Sequence, residues 1–398
     1  MPIGGLAGAG RRRSASVSQA IFGETVKKKR AGRTSTRPCM QTIANDSATT
    51  ALLIRPRRGV LFVDCQGLGD VVQSLPLLRA VCSWSAGRWP IRVLFATPQH
   101  YELVREEGLR LIPFFVGGLR RHPAGLMNLW MKLAGKSDLI VCPPEISPGK
   151  LALLKYTTGA RYAAGEASVS YSRFLSFSVE KTWTEPYLET QDRIAAAMGF
   201  DIPLDPPSIR LTAGEVSWAT SELVRARLTG ARPLVGVQCS SIVPSKRWPA
   251  ENFGLTIRNL REQVASIGVI SLGIAAEQAG AMDAQRMNAN VPWLDGIGRW
   301  SVRETLAMLS QCDVFISGDT GLMHMAAARG TPTVSIFGPT SAARRAPRYN
   351  GGIALSPTAS CHPCFRGQWT RCDCIRQITP EQVSSAASCC LESILAMQ

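Results

Sequence analysis

Asp319, Thr320 and His324 sit together in the run Ser317-Gly318-Asp319-Thr320-Gly321-Leu322-Met323-His324. The apolar triplet Val314-Phe315-Ile316 precedes that run, and Gly330-Thr331-Pro332 and a second apolar stretch over 333–337 follow it. A strand, a glycine-bearing turn, a short helix over 322–329 and a second strand make a βαβ unit, whose turn lies at the carboxyl edge of a parallel sheet. Free backbone N–H groups where such a helix begins attract a phosphate. Asp319, Thr320 and His324 would add side chains that orient a nucleotide or a sugar, so the segment reads as a donor-binding site. His324 also fits a purely structural role, because no Cys or Asp stands at triad spacing from it.

Three other places carry chemistry-bearing residues. Gly67-Leu68-Gly69-Asp70 is a tight turn leading into a helix, with a carboxylate at its mouth that serves either as a base or as a helix cap. Ser240 and Ser241, followed by Lys246 in Ser245-Lys246-Arg247-Trp248-Pro249, offer hydroxyls and a cation for a diphosphate; the alternative is a solvated basic loop anchored by Trp248. Glu277 opens a helix after an apolar strand, where an acid either bonds a ribose or complements the helix dipole. No Asp-x-Asp, HExxH or GxxxxGK[ST] pattern occurs.

The elements that must position these residues alternate. Apolar strands are expected over 58–64, 91–96, 109–116 and 138–142, with a helix over 71–84 that starts late or bends at Pro76. After a polar, Pro-rich passage over 201–207 and a helix over 215–227, the pattern restarts with strands over 233–237 and 267–272 and helices over 277–288 and 301–311. Two successive α/β halves, each with its own glycine-bearing turn, suggest two Rossmann-like domains facing across a cleft. A length of 398 residues agrees with two domains of roughly 150–200 residues.

The net charge of +16 is unevenly spread, since residues 1–58 hold twelve Lys and Arg against Glu24 and Asp46. The expectation is a disordered basic leader over 1–57, with an α/β body that is only modestly basic. The leader is either an arm drawn to anionic lipid or nucleic acid, an organelle transit peptide, or upstream sequence with Met40 as the true start. A nucleic-acid or membrane-binding module is the rival from another class, and the charge split argues against it. No apolar run approaches the ~18–20 residues of a membrane helix, so membrane contact is expected only at the surface. Cys65, Cys82, Cys142, Cys239 and Cys312 lie in or beside apolar segments, as reduced thiols of a cytosolic protein do.

Gly69-Asp70-Val71-Val72-Gln73-Ser74-Leu75-Pro76, Lys246-Arg247-Trp248-Pro249, the Asp319–Ala328 run and Phe337-Gly338-Pro339-Thr340 together resemble glycosyltransferase family 9, the ADP-heptose:lipopolysaccharide heptosyltransferases. The likeness spans residues 58–390. It implies a GT-B fold with an N-terminal acceptor domain over 58–215 and a C-terminal nucleotide-sugar domain over 232–398. It implies inversion without an essential metal, with Asp70 as general base and Lys246 steadying the leaving diphosphate. Asp319, Thr320 and Gly321 match the donor contacts, Glu277 a ribose contact, and Gly69 and His324 belong to the same motifs. Ser240 and Ser241 stand near the family's hydroxyl pair, although the loop to Lys246 is one residue longer.

Cys361, Cys364, Cys372 and Cys374, with His362 among them, form a cluster that would bind a structural zinc or iron or else consists of reduced loop thiols. Several family members carry a CxPC-type segment after the GPT motif, and some protein-directed heptosyltransferases hold iron there. The expected activity is transfer of a heptose-type sugar from an ADP-sugar to a lipopolysaccharide-core or related saccharide acceptor, at the cytoplasmic face of the membrane. The alternatives within the class are another nucleotide-sugar or a protein acceptor.

Overall fold

The computed structural model describes residues 56–64, 66–117, 123–143, 146–167, 172–200, 203–264, 266–358, 362–364 and 373–395. The leader expected over 1–57 lies outside the described residues except for Pro56 and Arg57.

The first half runs β1 (Val60–Asp64), α1 (Leu68–Ser85), β2 (Ile91–Phe95), α2 (Pro98–Val104), β3 (Leu111–Phe115), α3 (Pro123–Leu133), β4 (Leu139–Cys142), α4 (Pro148–Thr158), β5 (Tyr162–Ala167), β6 (Phe177–Glu180) and α5 (Tyr187–Ala197). Helix α6 (Ala213–Arg225) leads into the second half. There follow β7 (Leu234–Gln238), α7 (Ala250–Gln263), β8 (Gly268–Ser271), α8 (Gln278–Arg286), β9 (Trp293–Asp295) and α9 (Val302–Leu309). The half closes with β10 (Val314–Gly318), α10 (Gly321–Ala327), β11 (Thr333–Ile336), α11 (Ala342–Arg345), β12 (Ile353–Leu355) and α12 (Pro380–Leu395).

Each half builds one six-stranded, all-parallel sheet, in the orders β3-β2-β1-β4-β5-β6 and β12-β11-β10-β7-β8-β9. Counted within its own half, the second order is the first one repeated, the Rossmann arrangement. Strands β1, β7 and β10 are buried along their whole length, because helices cover both faces of a parallel sheet. Their continuous apolar runs, Val60-Leu61-Phe62-Val63 among them, follow from that.

Helix α1 differs from its expected form. It begins at Leu68 and continues through the buried Pro76, whose missing N–H leaves the Val72 carbonyl without its intrahelical donor. Gly69 and Asp70 therefore occupy its first turn and not a loop before it. Glu277 closes a 3₁₀ turn, Ala275–Glu277, and stands at the N-cap of α8, so it opens that helix as expected.

Buried arginines tie the halves together. Arg303 of α9 donates to both Glu215 oxygens at 2.7 Å, to the Arg210 carbonyl at 2.8 Å and to the Leu103 carbonyl of α2 at 3.2 Å. Burial works to raise the Glu215 carboxyl, but the Arg303 hydrogen bonds, with others from Thr212, outweigh it and hold the group at about 2. Arg344 of α11 pairs with Glu166 of β5 and donates to the Thr182 carbonyl at 2.8 Å. Removing one partner of such a pair strands a buried charge, at a cost of about 3–5 kcal/mol.

Candidate active site

Strand order locates the site. In an open parallel sheet, ligands bind beyond the carboxyl ends of the strands where the order reverses, here between β1 and β4 and between β7 and β10. Asp70 follows β1, Lys246 follows β7 and Asp319 follows β10, so the three meet from both halves.

Asp319 is the buried hub. Its Oδ2 accepts from Lys246 Nζ at 2.6 Å and from Thr340 Oγ1 at 2.8 Å, while Arg345 Nε stands 3.5 Å from its Oδ1. Burial alone would raise its pKa. The Arg345 and Lys246 charges overcome that and hold Asp319 well below the usual carboxylate range. The Lys246 ammonium and the Arg345 guanidinium are thereby fixed around a common anion.

Arg345 also reaches the other half, its Nη2 standing 3.1 Å from Asp70 Oδ1. The second Asp70 oxygen accepts from the Gly67 backbone N–H at 3.0 Å, a capping contact in the first turn of α1. Asp70 thus does cap its helix, and it presents a carboxylate to the cleft as well. Beneath it, Asp64 at the end of β1 accepts from Ser74 Oγ, and burial raises its carboxyl to about 7, partly against that bond.

Gly69 and Gly321 allow the two helix starts to touch. A Cβ on Gly69 would lie 2.7 Å from His324 Cδ2 and 3.2 Å from Gly321 Cα, and one on Gly321 would lie 3.2 Å from the Gly69 nitrogen. His324 is buried in this contact, and its Nε2 has no hydrogen-bond partner among the described residues. Burial and the Arg345 charge push the imidazole down to about 4, against the pull of Asp319 and Asp70, so it is neutral at neutral pH.

A hydrogen-bond chain lines one side of the cleft. Thr320 Oγ1 donates to Gln238 Oε1 at 2.6 Å, and Gln238 Nε2 donates to the Glu277 carboxylate at 3.0 and 3.2 Å. Glu277 also accepts from the Ile274 N–H at 3.1 Å. Ser241 is buried beside this chain, its Oγ accepting from the Val243 N–H at 3.2 Å. Ser240 goes elsewhere: it lines a separate cavity with Cys239, Trp248 and Arg376. Consecutive side chains diverge at the end of a strand, which separates the two serines that the sequence groups together.

Two cavities meet at these residues. One of about 430 Å³ is lined by Gly69, Gln238, Ser241, Glu277, Asp319, Thr320, Gly321 and His324. The other, of about 510 Å³, is lined by Glu166, Lys181, Trp183, Tyr187, Thr340, Ser341 and Arg344. Gln66, Asp70, Lys246 and Arg345 border both. The geometry thus offers a two-chambered cleft with a carboxylate and two cations at the junction.

Arg345, Arg344, Gln238 and Tyr187 were not singled out by the sequence. The doublet Arg344-Arg345 just past Gly338-Pro339-Thr340 was the one visible signal, but only the fold separates one arginine facing Glu166 from the other facing Asp70. Of the cysteine cluster, Cys361 and Cys372 lie outside the described residues, while Cys364 and Cys374 are buried. Among the described residues no group of three or more His, Cys, Asp or Glu side chains could hold a metal ion. Nor is any helix there long and apolar enough to cross a membrane.

Paired Rossmann sheets with a polar cleft at both switch points define the GT-B class of glycosyltransferase fold. The solved ADP-heptose lipopolysaccharide heptosyltransferase II of Escherichia coli shares this fold, with a TM-score of 0.61 at 19% identity over 85% of this chain and 99% of that one. The sequence profile of glycosyltransferase family 9 (heptosyltransferase) matches residues 148–372, and the chain belongs to that family. It is 28% identical to lipopolysaccharide heptosyltransferase 1 of Pseudomonas aeruginosa over 333 residues, 77% of this chain and 86% of that protein. It is 29% identical to lipopolysaccharide heptosyltransferase 2 of Salmonella typhimurium over 153 residues, and that match spans only 42% of the relative's length.

Proposed function

We propose that this protein transfers a heptose-type sugar from an ADP-sugar to a saccharide acceptor of the lipopolysaccharide core, inverting the anomeric carbon. The observation that carries the reading is the placement of Asp70 and Lys246 on opposite halves of one cleft, joined through Arg345 and Asp319. The donor occupies the smaller chamber, with its ribose near Glu277, its diphosphate near Lys246 and the Thr320-Gly321 backbone, and its sugar toward Asp319 and His324. The acceptor occupies the chamber lined by Trp183 and Tyr187.

In the reaction, an acceptor hydroxyl attacks the anomeric carbon and gives its proton to Asp70 as the bond to the diphosphate breaks. ADP leaves with the bonding electron pair, and the Lys246 and Arg345 charges stabilise the negative charge that develops on it. Arg345 pairs with Asp70 at 3.1 Å. The incoming diphosphate competes for the same guanidinium and draws it off, leaving the carboxylate free to act as base. The sequence relatives named as heptosyltransferases support the sugar and the acceptor class. On this reading the acceptor is a glycolipid met at the cytoplasmic face of the membrane.

A donor screen tests the proposal. Purified protein should show turnover with ADP-heptose and a raised melting temperature in its presence, about 2.7 kcal/mol of stabilisation at a hundredfold excess over the dissociation constant. UDP- and GDP-hexoses should give neither. Equal responses to UDP-sugars, or none to any ADP-sugar, would overturn the heptosyl reading.

A further inference from the structure

Helices α3 and α4 cover the face of the first sheet that points away from the second half. Their inner residues Leu133 and Leu151 are buried with Leu61, Val63 and Leu94. The Gly135 N–H donates to the Thr157 carbonyl at 3.0 Å, which holds their carboxyl ends together. An outer-layer helix ordinarily turns polar residues to water. These two turn large apolar ones out beside them: Met127 is 57% exposed, Trp130 46%, Met131 56%, Leu153 62% and Tyr156 83%. Such side chains scattered singly would call for no account, but here they share two adjoining helices.

The charge around them has one sign. Lys132, Lys136 and Lys150 are exposed and Lys155 is half-buried, and none of the four forms an ion pair among the described residues. Neither helix contains an acidic residue, and neighbouring Asp138 is taken by Arg58. This pattern decides between occupants. A second copy docking through the same face in a two-fold interface would bring lysine against lysine with no carboxylate from either helix, among the described residues, to answer it. An anionic bilayer surface satisfies both halves of the pattern: Trp130 and Tyr156 suit the headgroup boundary, Met127 and Leu153 enter the acyl edge, and lysine stems lie along the apolar surface with their ammonium groups on lipid phosphates.

We propose that the outer face of α3 and α4 docks this protein on anionic membrane lipid. Ser147, at the amino end of α4, lines the larger chamber of the cleft, so the docked face leads directly to it. The use of the contact rests on the glycosyl-transfer reading, since it delivers a membrane-borne acceptor to that chamber; the contact itself does not.

Co-sedimentation of the full chain with phosphatidylglycerol/phosphatidylethanolamine vesicles tests it, with phosphatidylcholine vesicles as the neutral control. The unaltered protein should partition onto the anionic vesicles. A Met127→Ser/Trp130→Ser variant should bind about tenfold more weakly, and a Lys132→Glu/Lys150→Glu variant should show a smaller preference for anionic over neutral lipid than the unaltered protein. The basic leader is present in all three proteins, so its own attraction cancels in the comparison. Undiminished binding by the Met127/Trp130 variant overturns the proposal. So does a dimer in light scattering that the same substitutions dissociate, which would make the face a contact between copies. Turnover on a soluble acceptor should be equal in all three; if none turns over while the vesicle pattern holds, the transfer reading fails and the docking stands.

Discussion

Arg345 lies between Asp70 and Asp319, 3.1 Å from the first and 3.5 Å from the second, and so joins a carboxylate of one half to a carboxylate of the other. Both acids, together with Asp70's hydrogen bond, raise the affinity of the guanidinium for its proton against the cost of its burial. The contact spans the junction of the two chambers, where donor and acceptor would meet.

Replacing Arg345 should therefore change donor affinity more than fold stability. In Arg345→Gln the donor KM should rise about 10- to 150-fold, the loss of one charged hydrogen bond of about 1.5–3 kcal/mol, and kcat should fall as well. Arg345→Lys should recover part of both. Steady-state kinetics with varied donor check this, and an unchanged KM would place the diphosphate away from Arg345.

Gly69 should tolerate no side chain. Gly69→Ala sets a methyl 2.7 Å from His324 Cδ2 and 3.2 Å from Gly321 Cα, so the two helix starts must part. The expected cost is about 1–3 kcal/mol in urea unfolding, with weaker donor binding. Gly69→Ala/His324→Ala should recover part of the stability but not all, because the contact with Gly321 remains. Coupling between the two substitutions should exceed about 0.5 kcal/mol, and strict additivity would contradict the packing.

His324 makes the fold acid-sensitive in a defined window. Its pKa falls from 6.5 to about 4 in the folded protein. As pH drops below 6.5, the unfolded chain takes up a proton that the folded one refuses until about 4, so stability is complete above the window and lost within it. His324→Gln should flatten that slope, by up to about 3 kcal/mol between the two ends. Asp64 acts with the opposite sign, since its carboxyl is raised from 3.8 to about 7 and stability falls as pH rises through that range. It is present in both proteins and cancels in the difference. Urea midpoints at several pH values provide the measurement.

Much of this architecture was readable from β1, β7 and β10, whose unbroken apolar runs reflect burial on both sheet faces. The turns after them carry Asp70, Lys246 and Asp319, and strand order converts those sequence positions into spatial neighbours. The late start expected at Pro76 did not occur, because a proline's effect is local while the packing around it is set by the sheet. Ser240 and Ser241 look equivalent in sequence, yet adjacent side chains leave a strand end in different directions. The roles of Arg345 and Gln238 were hidden for a different reason. Each acts by reaching a residue far along the chain, Asp70 in one case and Glu277 in the other, and spacing records no such contact.

The central claim is that Asp70 takes the acceptor proton while the donor sits against Lys246 and Asp319. Asp70→Asn keeps an oxygen for the Gly67 N–H and removes the base. The measurement is turnover of ADP-heptose with a core saccharide acceptor, paired with donor affinity by calorimetry on the same preparation. Turnover should fall by about 10²–10⁴-fold with the donor dissociation constant nearly unchanged. An Asp70→Asn protein that binds donor and turns over at the original rate would contradict the account.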